Sequence, residues 1–349
     1  MKNWQRLKSD PVLQKNLILR EKIIATSREF FSQKKYREID VPLLAPALPA
    51  ESYVEIFKTV ILDRQRRSQP AYLTTSPEVF LKKLLVSGVG SCFVISKSFR
   101  NTESQSNLHN PEFTILEWYQ VDADYQVLID ETEALFIYIF KNLFPGKPLF
   151  LKYQKQQIDL TPPWERVSMN QAFKKYAKVD LEKILNLESI RELAQSRGYQ
   201  VEPNSTWEEL FNQIFLNEII KQLGRKKPTF LYDYPSQLAA LAAKRKTTDS
   251  RFAERFEVII NGLEIADGCT ELTQWKEQER RIKKEADEIK RLGKDEYVYD
   301  QEFIEALQQG LPKSAGVALG VDRLVMLFCN ASRIQDVLYF PASEMWPEH

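Results

Sequence analysis

Histidine is nearly absent from this sequence: His109 and His349 are the only two in 349 residues. A histidine-rich metal site is thereby excluded, and a Ser-His-Asp or Cys-His device would have to be built on His109. The three cysteines, Cys92, Cys269 and Cys329, are odd in number and far apart. They give neither a disulfide framework nor a zinc-binding spacing. Glycine is scarce at 11 residues, about 3% against an average of about 7%. Four of the glycines (Gly262, Gly268, Gly316 and Gly320) fall in two short C-terminal segments, which marks sharp turns or close approaches to the backbone. A charge excess is missing too, since 49 Lys and Arg against 48 Asp and Glu leave a net charge of +1. Broad polyanion binding normally leaves a basic excess, so any nucleotide contact must be local. No apolar run approaches the roughly 18–20 residues of a bilayer span. The opening MKNWQRLKSDPVLQKN carries no apolar secretory segment, so a cytoplasmic protein without membrane contact is expected.

What is present suffices for a sizeable core: 43% of residues are hydrophobic and 28% charged. Leu17, Ile18, Ile23, Ile24, Phe30 and Phe31 recur at helical spacing over 13–37, and Ile39-Asp40-Val41-Pro42 reads as extended. Residues 92–100 and 113–119 read as antiparallel strands joined by the long polar loop 101–111. A helix follows over 124–143, and 168–225 is helical with little strand signal. Asn261-Gly262 between two apolar runs marks a tight hairpin. Residues 276–292 form a charged helix, whose plainest reading is a solvated surface helix. A last strand, 317–321, runs into a helix near Asp322. There is no internal repeat. Strands and helices are segregated rather than alternating, which predicts an α+β fold on an antiparallel sheet flanked by helices and disfavours a Rossmann fold.

Three segments carry chemistry. In the second strand of the first hairpin, the period of two puts Phe113, Ile115, Glu117 and Tyr119 on one face and Thr114, Leu116 and Trp118 on the other. A carboxylate beside a phenol suits an ammonium ligand. Arg100, ending the first strand, offers a fork for phosphate or carboxylate. An amphipathic hairpin with a surface ion pair would show the same pattern. In the Asn261-Gly262 hairpin, Ile260 faces Leu263 and Ile259 faces Glu264, so Glu257 and Glu264 become diagonal neighbours roughly 7–8 Å apart by Cα. Such a pair suits a Mg²⁺ that also takes phosphate oxygens, with Glu271 as a third acid. A solvated acidic face partnered by Arg255 is the alternative. In 316–323, Ala318 and Gly320 share a strand face almost bare of side chain, a floor for a planar ligand. Arg323 stands at a helix start, where a cation opposes the helix dipole, which implies an anionic partner. A plain strand-to-helix turn is the alternative there.

Together these residues name a family. PPWERVSM (162–169), SFRNTES (98–104), HNPEFTILEWY (109–119), RFEVIINGLEIADG (255–268) and GVALGVDRLVML (316–327) resemble the catalytic domain of class II lysyl-tRNA synthetases over nearly the whole chain. The three class II motifs stand in order as KKYREIDVPLL (34–44), the hairpin around Arg100, and GVDR (320–323). The resemblance implies the class II aminoacyl-tRNA synthetase catalytic fold, as one domain over 1–349 with a mainly helical insertion at about 168–250. About 33 residues precede the first motif, too few for the five-stranded OB-fold anticodon-binding domain. No such N-terminal domain and no tRNA binding are therefore expected, in keeping with the balanced charge. With TTSPEVFLKKLL at 74–85, the chain is similar to the elongation factor P–(R)-β-lysine ligases, which activate (R)-β-lysine with ATP and transfer it to a lysine side chain of elongation factor P.

The resemblance also implies roles. Arg100 and Arg323 would be the catalytic pair, on the α- and γ-phosphate regions of ATP. Asn101, Thr102, Glu103, His109, Asn110, Glu264 and Ile265 would seat ATP, with Phe113 stacked on adenine and Gly320 beneath adenosine. Glu257 and Glu264 would bind Mg²⁺. Ser76, Pro77, Glu78, Glu117, Tyr119, Asp267, Glu271 and Ala318 would line the site for lysine or β-lysine; Glu78, Glu117, Tyr119 and Glu271 would hold its two ammonium groups. The sequence departs from the family at Thr102, where Glu stands (with Glu103 next to it), at Asp267, where Asn stands, and at Cys269, where an aromatic stands. The extra charge of Asp267 requires a nearby cation, a protonated acid or a differently seated substrate. Lysyl-tRNA synthetases have Gly where Ala318 stands, whereas the β-lysine ligases have Ala. A homodimer is expected from the first motif, Ser27 to Leu44, whose Phe30, Phe31 and Tyr36 exceed what a solvated helix needs. The expected reaction is adenylation of a substrate carboxylate followed by acyl transfer to an amine, with no protein nucleophile and no general base assigned. The alternatives are a lysine-adenylating paralogue with tRNA or a small molecule as acceptor, and an inactive ATP- or lysine-sensing module.

Overall fold

The long N-terminal helix, Pro11–Gln33, begins where the Asp10 carboxylate accepts from the N–H groups of Val12 and Leu13, with Pro11 at the first helical position. Asp124 caps helix Tyr125–Leu143 in the same way. Asn261 and Gly262 both take positive φ, 51° and 75°, as a two-residue hairpin turn demands. These elements belong to a computed structural model that describes residues 1–102, 106–239, 241–245 and 249–346. Glu103 and His349 lie outside the described residues.

The strands are β1 (Arg37–Glu38), β2 (Leu44–Ala45), β3 (Lys58–Leu62), β4 (Ser68–Leu73), β5 (Cys92–Phe99), β6 (Glu112–Val121), β7 (Phe150–Tyr153), β8 (Gln156–Asp159), β9 (Glu165–Ser168), β10 (Thr229–Pro235), β11 (Phe252–Ile260), β12 (Leu263–Thr270) and β13 (Ser314–Gly320). Eight of them form one sheet in the order β1-β5-β6-β13-β12-β11-β10-β9. Its six inner strands are antiparallel, and only the outer pairs β1–β5 and β9–β10 are parallel. The α+β architecture on an antiparallel-dominated sheet is thus as expected. Helices Pro11–Gln33, Tyr125–Leu143 and Val321–Cys329 cover the back of the sheet, packing Phe31, Phe136 and Leu324 against Leu116, Trp118 and Val258. Among the described residues, helices pack over the front at its two ends, and Ala239 and Ala242 lie against Cys269. Helices Glu78–Val86 and Gln301–Gly310 pack over Cys92, Val94 and Tyr119. Helical segments between β9 and β10 pack over Leu231 and Ile259. Between those walls, β6, β13, β12 and β11 form the floor, on which Glu117, Glu257 and Glu271 are buried.

Three expectations need correction. The helical insertion stops at Gln222, and Thr229–Pro235 is a strand of the main sheet. That strand is buried on both faces, so it shows no alternation by which a sequence would betray it. The aromatic surplus of the first motif is not surface. Phe31 stacks on Phe93 at 4.9 Å and meets Trp118 at 5.1 Å, while Phe30 and Tyr36 are buried beside it. These rings are spent inside the chain and give no signal for self-association. The charged helix Trp275–Arg291 is more than a solvated surface helix. It buries Gln278 and Ile289, and its Glu285 accepts from the Ser52 hydroxyl at 2.6 Å.

One buried polar cluster joins the layers. Arg20, on the N-terminal helix, donates to Asp322 at 2.5 Å and to Thr114 Oγ1 at 2.8 Å, and Asp322 also accepts from the Thr114 N–H at 2.8 Å. Replacing Arg20→Ala leaves Asp322 buried with its charge uncompensated. The expected loss of stability is about 3–5 kcal/mol, measurable as a lowered midpoint in urea denaturation.

Candidate active site

Residues paired directly across neighbouring strands share a face, and two such rows run across the floor. Glu117 faces Ala318, Ala318 faces Asp267, and Asp267 faces Glu257. One row over, Tyr119 faces Gly316, Gly316 faces Cys269, and Cys269 faces Arg255. Strict alternation from the hairpin turn would have set Glu257 opposite Ala266 and turned Asp267 and Glu271 into the core. Instead a bulge between Val258 and Ile259 inserts Ile265 as an extra residue in β12. Glu264, Asp267, Cys269 and Glu271 thereby all reach the front face, and Ile265 and Ala266 both turn to the core.

At the β6 end lies a buried acidic pocket. Glu117 accepts from Tyr119 Oη at 2.7 Å and from Ser76 Oγ at 2.8 Å. Ser76 also receives the Glu78 N–H, just after Pro77 opens helix Glu78–Val86. Lys82, itself buried, pairs with Glu78 and with Glu271, each at 2.5 Å. Sequence reasoning missed Lys82, because a lysine at helical spacing reads as surface. It claims part of the charge of two carboxylates assigned to substrate ammonium groups. Burial pushes the Glu117 carboxyl up to about 8, reinforced by Glu78. Glu271 is pushed up to about 7, by burial first, against the opposing charge of Lys82. A Cβ at Gly316 would stand 2.3 Å from the Tyr119 ring and 2.8 Å from Glu271. Glycine is required there for both side chains to cross the strand.

At the other end Arg323 donates to His109 Nε2 at 2.7 Å and to the Glu264 carbonyl at 2.9 Å. This brings three of the residues expected around ATP together. Arg100 lies 5.3 Å from the Phe113 ring centroid, so one face of that ring is taken and adenine would need the other. At Gly320 a Cβ would meet nothing nearer than 3.8 Å, so the fold itself does not need glycine there; the bare floor serves whatever lies above it. Two expected contacts are redirected. Asn110 ties the loop to the C-terminal segment, donating to the Glu112 carbonyl and accepting from the Ala342 N–H. The Ile265 side chain is in the core, leaving only its carbonyl near Gly320. Asn101 donates its backbone N–H to the Glu55 carbonyl at 2.9 Å, and Thr102 is exposed.

The cation that Asp267 requires is Arg255. Its guanidinium bonds Asp267 at 2.7 and 3.0 Å, Glu257 at 2.9 Å and the Leu238 carbonyl at 3.0 Å, and it lies 4.5 Å from the Tyr234 ring centroid. Burial, then the charge of Glu264, pushes Glu257 up to about 8. Glu257 and Glu264, two carboxylates on one face that repel one another, fit a divalent cation whose remaining ligands are phosphate oxygens and water. Glu271 does not join them, being held by Lys82, and among the described residues no group of three acids, histidines or cysteines forms a cage. Nor, among them, is any helix long and apolar enough to cross a membrane.

The family described as tRNA synthetases class II (D, K and N) matches residues 2–344. The chain is similar to the lysine–tRNA ligases of Shewanella oneidensis and Shewanella halifaxensis, both 37% identical, and of Shewanella baltica, 36% identical, in each case over 334 residues. Those matches cover 93% of this chain and 64% of each relative.

The pocket carries a consequence for pH. Burial favours the protonated form of Glu117, and Glu78, Lys82, Ser76 and Tyr119 are the groups that face it. A bound ammonium favours its carboxylate, so binding releases a proton below about pH 8. Affinity for an ammonium substrate should therefore rise with pH, by up to about tenfold per unit, and level off above that value. Calorimetric titration in buffers of different ionisation enthalpy measures the released proton, and a pH-independent affinity would contradict the assignment.

Proposed function

The chain belongs to the class II tRNA synthetases of the D, K and N type, and from that premise we propose that it is an ATP-dependent ligase that adenylates (R)-β-lysine or lysine and transfers the acyl group to a lysine side chain of elongation factor P. The observation that carries this reading is the two-ended floor. A buried acidic pocket built on Glu117 stands on the same sheet face as Gly320, with Arg323 held over the β13 end by Glu264 and His109. An amino acid with cationic side chain and backbone amine would place its ammonium groups at the acidic end. Its carboxylate would then meet the α-phosphorus of ATP near Arg100. The carboxylate attacks as an anion, forming the acyl-adenylate and releasing pyrophosphate, so no protein nucleophile is needed. Rate enhancement comes from alignment and from charge placed where it develops, with Arg100 and Arg323 on the phosphates. A Mg²⁺ at Glu257 and Glu264, if bound with the triphosphate, would neutralise phosphate charge.

Arg100→Ala and Arg323→Ala should each remove about 2.7–4 kcal/mol of transition-state stabilisation. This is readable as a loss of about 100- to 1,000-fold in lysine-dependent pyrophosphate exchange. Near-normal exchange by both variants would sink the mechanism. The acceptor is decided by offering labelled substrate, ATP and either elongation factor P or bulk tRNA. Robust charging of tRNA alone would move the assignment to the activity named for the Shewanella relatives.

Ala318 supports the β-lysine form of the proposal. Its position between Glu117 and Asp267 in one row puts its methyl on the floor of the pocket. One methyl clash discriminates by about 1–3 kcal/mol, or about 10- to 200-fold. Wild type should therefore prefer β-lysine to α-lysine in adenylation kcat/KM, and Ala318→Gly should narrow or reverse that preference. An unchanged ratio would shift the role to Asp267.

A further inference from the structure

The transfer step of the ligase reading needs a proton acceptor, and the motifs supply none. Histidine, the commonest such group, is represented in the described residues by His109 alone, which contacts Arg323. The floor carboxylates are occupied: Glu78 and Glu271 by Lys82, Glu117 by Tyr119 and Ser76, Asp267 and Glu257 by Arg255, while Glu264 lies beside Arg323.

One further carboxylate reaches the site from outside the three motifs. The segment between β2 and β3 folds over the end of β5, where the Asn101 N–H donates to the Glu55 carbonyl at 2.9 Å. Its Glu51 is fixed at the backbone by its N–H to Tyr297 Oη at 3.1 Å, and the neighbouring Ser52 hydroxyl is held by Glu285. The Glu51 carboxylate accepts from Thr75 Oγ1 at 3.2 Å, one residue before the serine that bonds Glu117. The charges acting on it are Arg100 on one side and Glu78 and Glu285 on the other. Among the described residues its side chain forms no ion pair. It thus stands at the junction of the α-phosphate arginine and the ammonium pocket, where the acyl carbon of an adenylate would lie.

We propose that Glu51 is the general base of the acyl-transfer step, taking the proton that the acceptor amine sheds. The inference rests on the ligase reading above. The acceptor, an alkylammonium in water, first loses one proton to solvent. The lone pair of the free amine then attacks the acyl carbon, and the new C–N bond forms as the C–O bond to AMP breaks. AMP departs with that electron pair, the second N–H proton passes to Glu51, and Glu51 returns it to water. Burial raises the carboxyl above the ordinary range against the opposing pull of Arg100, which moves it toward the working pH that suits a base.

The test compares two acceptors on the same protein. Wild type and Glu51→Gln are loaded with ATP and lysine or β-lysine, and adenylate is trapped either by hydroxylamine or by Nα-acetyl-lysine methylamide. Hydroxylamine is uncharged at neutral pH and its adduct, with the more acidic N–H, sheds its proton to water, whereas the less acidic adduct of the alkylamine needs a base. The expected result is a fall of about 100-fold or more in the alkylamine-to-hydroxylamine rate ratio of the variant. An unchanged ratio overturns the proposal, as does an equal loss with both acceptors. Absence of any hydroxamate from wild type would instead fail the ligase reading, so the two failures are distinguishable.

Discussion

The front of the sheet depends on one extra residue. Ile265, inserted opposite Val258 and Ile259, reverses the alternation of β12. Glu264 stays on the floor on one side of the bulge, and Asp267, Cys269 and Glu271 join it on the other. A regular ladder would have sent Asp267 and Glu271 into the hydrophobic layer under helix Tyr125–Leu143, an unpaired burial costing several kcal/mol for each charge. The register of the whole hairpin is thus dictated by where its acids can be tolerated, and the bulge is the backbone's solution.

Placing so many carboxylates on one floor creates an electrostatic problem, and the chain meets it with cations drawn from different elements. Lys82 comes from the helix over β5 and β6, Arg255 from β11, and Arg323 from the helix after β13. Each holds acids that would otherwise repel, and burial still pushes the Glu117 carboxyl up to about 8, reinforced by Glu78. A site in that condition stores unfavourable desolvation that a cationic ligand relieves. The same logic applies at Glu257, raised by burial and Glu264, where a divalent cation would do what an ammonium does at Glu117. The departure at Asp267 is absorbed by Arg255, whose fork takes Asp267 and Glu257 together.

Stability and chemistry meet at the other side of the sheet. Asp322 lies in the first turn of the helix that carries Arg323, and it is pinned by Arg20 and the Thr114 N–H. The N-terminal helix, β6 and the helix that carries Arg323 are therefore fixed relative to one another by a buried, hydrogen-bonded pair. That arrangement gives the Arg323 side chain a rigid foundation.

The sequence by itself determined the segregated α+β architecture, the hairpins at 92–119 and about 254–268, the turn at Asn261-Gly262, and the alternation that put Glu117 and Tyr119 on one face. All of these follow from local periodicity and turn chemistry, which a linear string records. It also held enough motif residues to place the chain in its family. Only the tertiary structure decided that Phe30, Phe31 and Tyr36 are core, because an apolar helix face does not say what covers it. It alone revealed β10, whose two buried faces erase the period of two, and the bulge at Ile265, which no residue type announces. Lys82 and Arg255 join the candidate site, and Glu51 comes to its edge, through contacts across the fold, with partners as far apart in sequence as Lys82 and Glu271. A charge's partner is set by which strands and helices close around it, and that is information the chain acquires only by folding.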